Sequence, residues 1–128
     1  MAATLANAGI CPITGVSCLS NEGVKSTLSH MLAAGMNDYS GQWAYRVGLP
    51  GKSGISGGLM VVVPNVMGIG LYSPCVDDHF NSKRSLEFIQ QLVEQFCFHQ
   101  YEPLRMRSSM VNDSRFDLRI VISIMTWY

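Results

Sequence analysis

The stretch from Gly35 to Gly58 constrains this 128-residue chain more than any other, because it holds more than half of the 12 glycines and the single Lys-Ser-Gly tripeptide. Glycine weakens a helix or strand interior by roughly 0.5–1 kcal/mol relative to alanine, so crowding of this kind marks turns or places of close backbone approach. The sequence before it reads as a helix leading in. The sequence after it reads as sheet with a covering helix. A functional site in this chain takes part of its wall from here.

The flanking periodicities organise the rest. Met1 to Ala8 is alanine-rich and helix-prone, with Gly9 where a helix C-terminus uses one. Eight residues are marginal as a free-standing helix, so the segment looks like the last turns of a longer one. Cys11-Pro12-Ile13-Thr14-Gly15 is a turn. Ser20 is placed to cap a helix whose apolar face is Val24, Leu28, Met31 and Leu32 and which Gly35 ends. Trp43, Tyr45 and Val47 alternate with Gln42, Ala44 and Arg46, which predicts a half-buried strand.

Leu59–Val63 and Val66–Tyr72 are apolar runs joined by Pro64-Asn65, a type I turn pair. Their near-continuous hydrophobicity predicts central strands covered on both faces, and the three segments together predict an antiparallel meander. Leu86, Ile89, Val93, Phe96 and Cys97 recur at helical spacing, placing a helix over Lys83 to Phe98 across that meander. Ile120 to Met125 is either a terminal strand or an aggregation-prone tail belonging to no fold. The layout is α+β.

Composition narrows the function classes. With 48% hydrophobic and 14% charged residues the chain is a buried globular domain, and its length suits one domain. A net charge of +0 and a pI near 6.8 give no electrostatic ground for nucleic acid or an anionic membrane as partner. No apolar run approaches the roughly 20 residues that span a bilayer. Cys11, Cys18, Cys75 and Cys97 form no C-x-x-C pair and no zinc spacing, so reduced intracellular thiols are expected. His30 has no ligand neighbour at metal spacing. Asp77, Asp78 and His79 share one loop without a rigid convergent set, so a solvated connection is expected and no metal.

Lys-Ser-Gly entering a strand has a use in penicillin-recognising serine hydrolases, where strand N–H groups face a developing oxyanion and the lysine supplies positive potential. Three residues alone also make an ordinary turn. The surrounding sequence is more specific. Met1 to Gly15, Asp38-Tyr-Ser-Gly-Gln-Trp-Ala-Tyr-Arg-Val-Gly-Leu-Pro-Gly-Lys-Ser-Gly-Ile-Ser-Gly-Gly and Val61-Val-Val-Pro-Asn-Val-Met-Gly-Ile resemble the serine-dependent glutaminases of the animal, kidney- and liver-type group. The resemblance continues through Ser73-Pro74, Asn81-Ser82 and the next helix to His99-Gln-Tyr-Glu-Pro-Leu-Arg105.

That resemblance implies hydrolysis of L-glutamine to L-glutamate and ammonia, without a cofactor, on a serine β-lactamase/penicillin-binding-like fold of antiparallel strands with flanking helices. It implies a homo-oligomer for the intact family enzyme and an intracellular setting, mitochondrial or cytoplasmic. The family's nucleophile and base, a Ser-x-x-Lys pair, lie upstream of the part matched here, and no serine of this sequence is followed three positions later by lysine. Residues 1–105 are accordingly expected to be the C-terminal part of a partial catalytic domain, with 106–128 an unmatched tail.

Two substrate-binding positions carry over. Ile55 matches a valine whose backbone N–H belongs to the oxyanion hole. Asn37 stands where the family has a tyrosine that contacts substrate and handles the leaving amine's proton. An amide cannot titrate, so none of the family's catalytic side chains is expected here. Lys52, Ser53, Gly54 and Tyr39 are supporting positions, with Tyr39 more readily explained as a packing residue. Two readings remain: an amidohydrolase by descent contributing one wall of a site, or a non-catalytic fragment or pseudoenzyme that binds glutaminase subunits.

Overall fold

Alternation along one strand sets the layering. The computed structural model describes residues 1–102 and the backbone of 122–125. Strand β2 (Gly58–Val63) points Leu59, Val61 and Val63 to one side and Met60 and Val62 to the other. Both sides are apolar, so both need cover. On the first, β2 and Ile69 of β3 (Met67–Tyr72) pack with Met36, Trp43, Val47 and Leu49, and with Leu86, Ile89 and Val93 of helix α4 (Lys83–Phe96). On the second, Val62 packs with Leu5 and Ala6 of helix α1 (Ala2–Ala6) and with Val24 and Met31 of helix α2 (Asn21–Ala34).

The sheet runs β1-β2-β3-β4. Strand β1 (Gly51–Ser53) pairs antiparallel with β2 in the register Lys52↔Met60, and β2 pairs antiparallel with β3 in the register Met60↔Gly70. This is the predicted meander, but its first strand is 51–53. Strand β4 (Ile122–Met125) pairs parallel with β3, which places these four residues of the C-terminal apolar run in the sheet. The remaining residues of the 106–128 tail, and Pro103 to Arg105, lie outside the described residues.

Residues 42–46 are helical rather than the predicted strand, with Val47 as the C-cap. Helix α3 (Ser40–Arg46) follows a 3-10 turn at Asn37–Tyr39. Strand alternation would bury Tyr45 beside Trp43 and Val47, yet Tyr45 is 84% exposed while both of the others are fully buried. The winning pattern is Met36, Tyr39, Trp43 and Val47, three to four residues apart and all in the core. Trp43 Nε1 donates to Leu49 O at 2.6 Å, closing the segment that links α3 to β1.

The β2–β3 turn also differs from expectation. Val66 N–H donates to Val63 O at 3.0 Å, and Asn65 sits at φ +63°, the sign required by type II rather than type I. The helix caps match the sequence more closely. The Ser20 hydroxyl accepts from Gly23 N–H at 3.1 Å, and α4 ends on Cys97 in the left-handed region. Ser82 is the N-cap of α4, but its hydroxyl goes to Ser85 Oγ at 2.8 Å instead of to backbone.

Candidate functional site

The site is built on the outer edge of β1. Backbone amides along a strand alternate in direction, and the hydrogen bonds here fix the phase. Gly54 N–H turns inward to Gly58 O at 2.8 Å, whereas Ser53 N–H turns outward to Gly35 O at 2.9 Å. Beyond Gly54 the chain makes a three-residue hairpin loop, Ile55-Ser56-Gly57, closed by Gly57 N–H on Gly54 O at 2.9 Å. Gly57 takes φ +95°, and a Cβ there would lie 2.1 Å from Ser73 O, so only glycine serves. Ile55 opens this loop, its residue 76% exposed and its N–H without a protein acceptor among the described residues.

Lys52 lies on the face toward α2, opposite Met60. Its ammonium donates to Ser53 O on the outer edge of β1, the edge from which the Ser53 N–H also points. A groove of about 500 Å³ opens beside it, lined by Ser26, His30, Met31, Gly35, Lys52 and Met60 among others. The positive charge therefore stands between a largely apolar groove and the hairpin that carries Ile55.

Ser53 is buried on the opposite face, and its hydroxyl donates to Phe80 O at 3.4 Å. One residue before Phe80, His79 O accepts from Asn37 Nδ2 at 3.0 Å. Asn37 and Ser53 are thus anchored on successive carbonyls of one loop. Asn37 Nδ2 also lies 3.5 Å from Asn81 Oδ1, and Asn37 O accepts from Ser40 Oγ at 2.6 Å. The residue adopts φ +53°, a left-handed conformation that asparagine tolerates better than most non-glycine residues.

The 77–81 loop is more ordered by its own polar groups than a solvated connection would be. Asp77 Oδ1 accepts from His79 N–H at 2.9 Å and from Asn81 N–H at 2.8 Å. Asn81 is fully buried and its Nδ2 donates to Met36 O at 3.2 Å. In the sequence Asp77 stands out only as a metal candidate and Asn81 only within the family resemblance; that Asp77 closes the loop onto His79 N–H two residues on is the ordinary habit of an aspartate in a turn. Among the described residues no three His, Cys, Asp or Glu side chains converge as a metal site.

Tyr39 is separated from this edge. It is buried in the main core, its hydroxyl accepting from Gln90 Nε2 at 3.4 Å and its ring 5.9 Å from that of His79. The structure therefore brings Lys52, Ser53, Gly54 and Ile55 together on one strand and hairpin. It joins Asn37 to them through the 77–81 loop and places Tyr39 in the packing behind.

The comparisons with known proteins bear on this arrangement. The glutaminase family model matches residues 1–101. The mitochondrial liver isoform of glutaminase from Mus musculus is 58% identical over 105 residues, which is 82% of this chain and 17% of the mouse protein. A glutaminase from Microcystis aeruginosa is 50% identical over 79% of this chain and 30% of its own length. Among solved structures, a Bacillus subtilis glutaminase in covalent complex with 5-oxo-L-norleucine superposes with a TM-score of 0.71 at 30% identity, covering 77% of this chain and 36% of the bacterial one. The chain therefore spans between about one sixth and one third of the relatives it matches, and it belongs to the glutaminase family.

Proposed function

We propose that this chain forms the oxyanion-side wall of a glutamine-hydrolysing site, and that it corresponds to the C-terminal part of a glutaminase catalytic domain over residues 1–105. The observation that carries this reading is the Ile55 N–H. It opens the hairpin loop without a protein acceptor among the described residues, on the strand where Lys52 places a positive charge. A main-chain donor held by a glycine-closed loop is suited to a carbonyl oxygen gaining charge, and it does so whatever the side chain is. Gly54 and Gly57 shape the loop, and Ser53 locks the strand to the 77–81 loop.

Asn37 supports the second reading, a non-catalytic chain that binds glutaminase subunits. Its amide is occupied as a tie to His79 O, and it has no titratable proton to give or take. Homo-oligomerisation and an intracellular setting, mitochondrial or cytoplasmic, belong to the same proposal; the mitochondrial liver relatives support the setting.

The test is a chimera in which this segment replaces its counterpart in the mouse relative, in an Asn37→Tyr background. Ile55→Pro deletes the N–H at a loop position compatible with proline and lowers kcat by about 100- to 1,000-fold in an ammonia-release assay. Ile55→Val leaves kcat unchanged. Full activity in the Ile55→Pro chimera overturns the assignment.

A further inference from the structure

Two cysteines flank the neck of the loop that joins α1 to α2. Ile10 and Ser17 form an antiparallel bridge. Cys11 N–H donates to Val16 O at 2.9 Å, and Cys18 N–H donates to Gly9 O at 2.9 Å. In such a pairing the residues on either side of a bridge position share the face opposite to it, so Cys11 and Cys18 lie diagonally on one face. Their contacts converge further, because Val16 O, which takes the Cys11 N–H, also takes the Cys18 S–H at 3.5 Å. Neither residue is buried, and both are free thiols.

We propose that Cys11 and Cys18 are a redox-responsive pair that closes to an intramolecular disulfide when the chain meets a peroxide. Cys11 is the attacking sulfur. The Thr14 side chain, then the Thr14 and Ile13 backbone, with a smaller contribution from the α-amino group, hold its thiol down at about 7. Near neutral pH a large share is therefore thiolate, the nucleophilic form. The Cys11 sulfur attacks one peroxide oxygen, the O–O bond breaks, and sulfenic acid and water result. The Cys18 sulfur then attacks the Cys11 sulfur, an S–S bond forms, the S–O bond breaks, and the hydroxide leaves as water with the Cys18 proton. Two thiols and one peroxide give a disulfide and two waters.

A diagonal pair stands about 7–8 Å apart between Cα atoms, and a disulfide needs less, so closure requires the neck to tighten. The loop is suited to that movement. Its residues from Pro12 to Leu19 are exposed, and it is held by a single bridge and a few backbone bonds.

The full reduced chain is treated with an equivalent of hydrogen peroxide, quenched with N-ethylmaleimide, digested with trypsin and weighed. The Met1–Lys25 peptide contains both cysteines and no internal cleavage site. The expected peptide is lighter by two hydrogens and carries no maleimide, and dithiothreitol restores double labelling. Cys18→Ser, an exposed substitution checked by circular dichroism, leaves a Cys11 sulfenic acid that dimedone traps. A Met1–Lys25 peptide that still takes two maleimides after peroxide overturns the proposal. So does sulfinic acid at Cys11 with Cys18 still labelled, or linkage to Cys75 or Cys97 instead.

Discussion

At the scale of single residues, Asn37 decides most. Its left-handed backbone and its bond to His79 O suit an asparagine, so the position works as a structural tie between the α2–α3 connection and the 77–81 loop. Asn37→Asp turns the donor into an acceptor facing two oxygens, and at pH 7 it lowers stability by about 1 kcal/mol in urea denaturation. At this exposed position the two facing oxygens disfavour a charged carboxylate and raise its pKa, so the penalty grows as pH rises through the carboxylate range and shrinks below it. Equal stability of the two proteins at both pH 4 and pH 7 would remove the tie from the account. In the chimera the same position reads out chemistry. Asn37→Tyr raises ammonia release by about 100-fold or more, the ordinary worth of a placed proton carrier.

Among the elements, α3 is where composition misled and packing decided. A six-residue window of alternating large and small residues is equally a strand or a short helix, and only the wider spacing of Met36, Tyr39, Trp43 and Val47 separates the two. The helix makes a prediction that a strand would not. Tyr45→Lys changes stability by less than about 0.5 kcal/mol, because Tyr45 faces solvent, whereas Val47→Ala costs about 2 kcal/mol or more from a fully buried site. Thermal denaturation of the two variants checks it, and comparable losses from both would restore the strand. The β2–β3 hairpin and α4 were legible because their patterns are long. The turn between Val63 and Val66 was not, since Pro-Asn suits types I and II alike until φ at Asn65 is known.

For the whole molecule, the site is one-sided. The described residues supply an edge strand, a main-chain donor, an ammonium and an apolar groove, and the sequence contains no Ser-x-x-Lys pair. The 128-residue chain is therefore expected to release no ammonia from glutamine above a blank in a coupled assay. The exposed apolar groove beside α2 also predicts self-association, read as a sedimenting mass above 14.1 kDa. A clean monomer at high concentration would contradict it. Much of the site's strand was legible from Lys52 to Gly58, because glycine spacing is a backbone signal. The support supplied by Asn37 and Asn81 was not, because it depends on contacts between segments over 40 residues apart in sequence.

Gly35 packs so closely on β1 that a Cβ would stand 1.8 Å from Gly51 O, and Ser53 N–H is bonded to Gly35 O. The joint between α2 and the site strand is thus made of main chain on both sides. Substitution of neighbouring side chains cannot erase it, provided the glycines stay. The pose of the strand is therefore independent of which side chain stands at position 37, and a change of chemistry there leaves the scaffold in place.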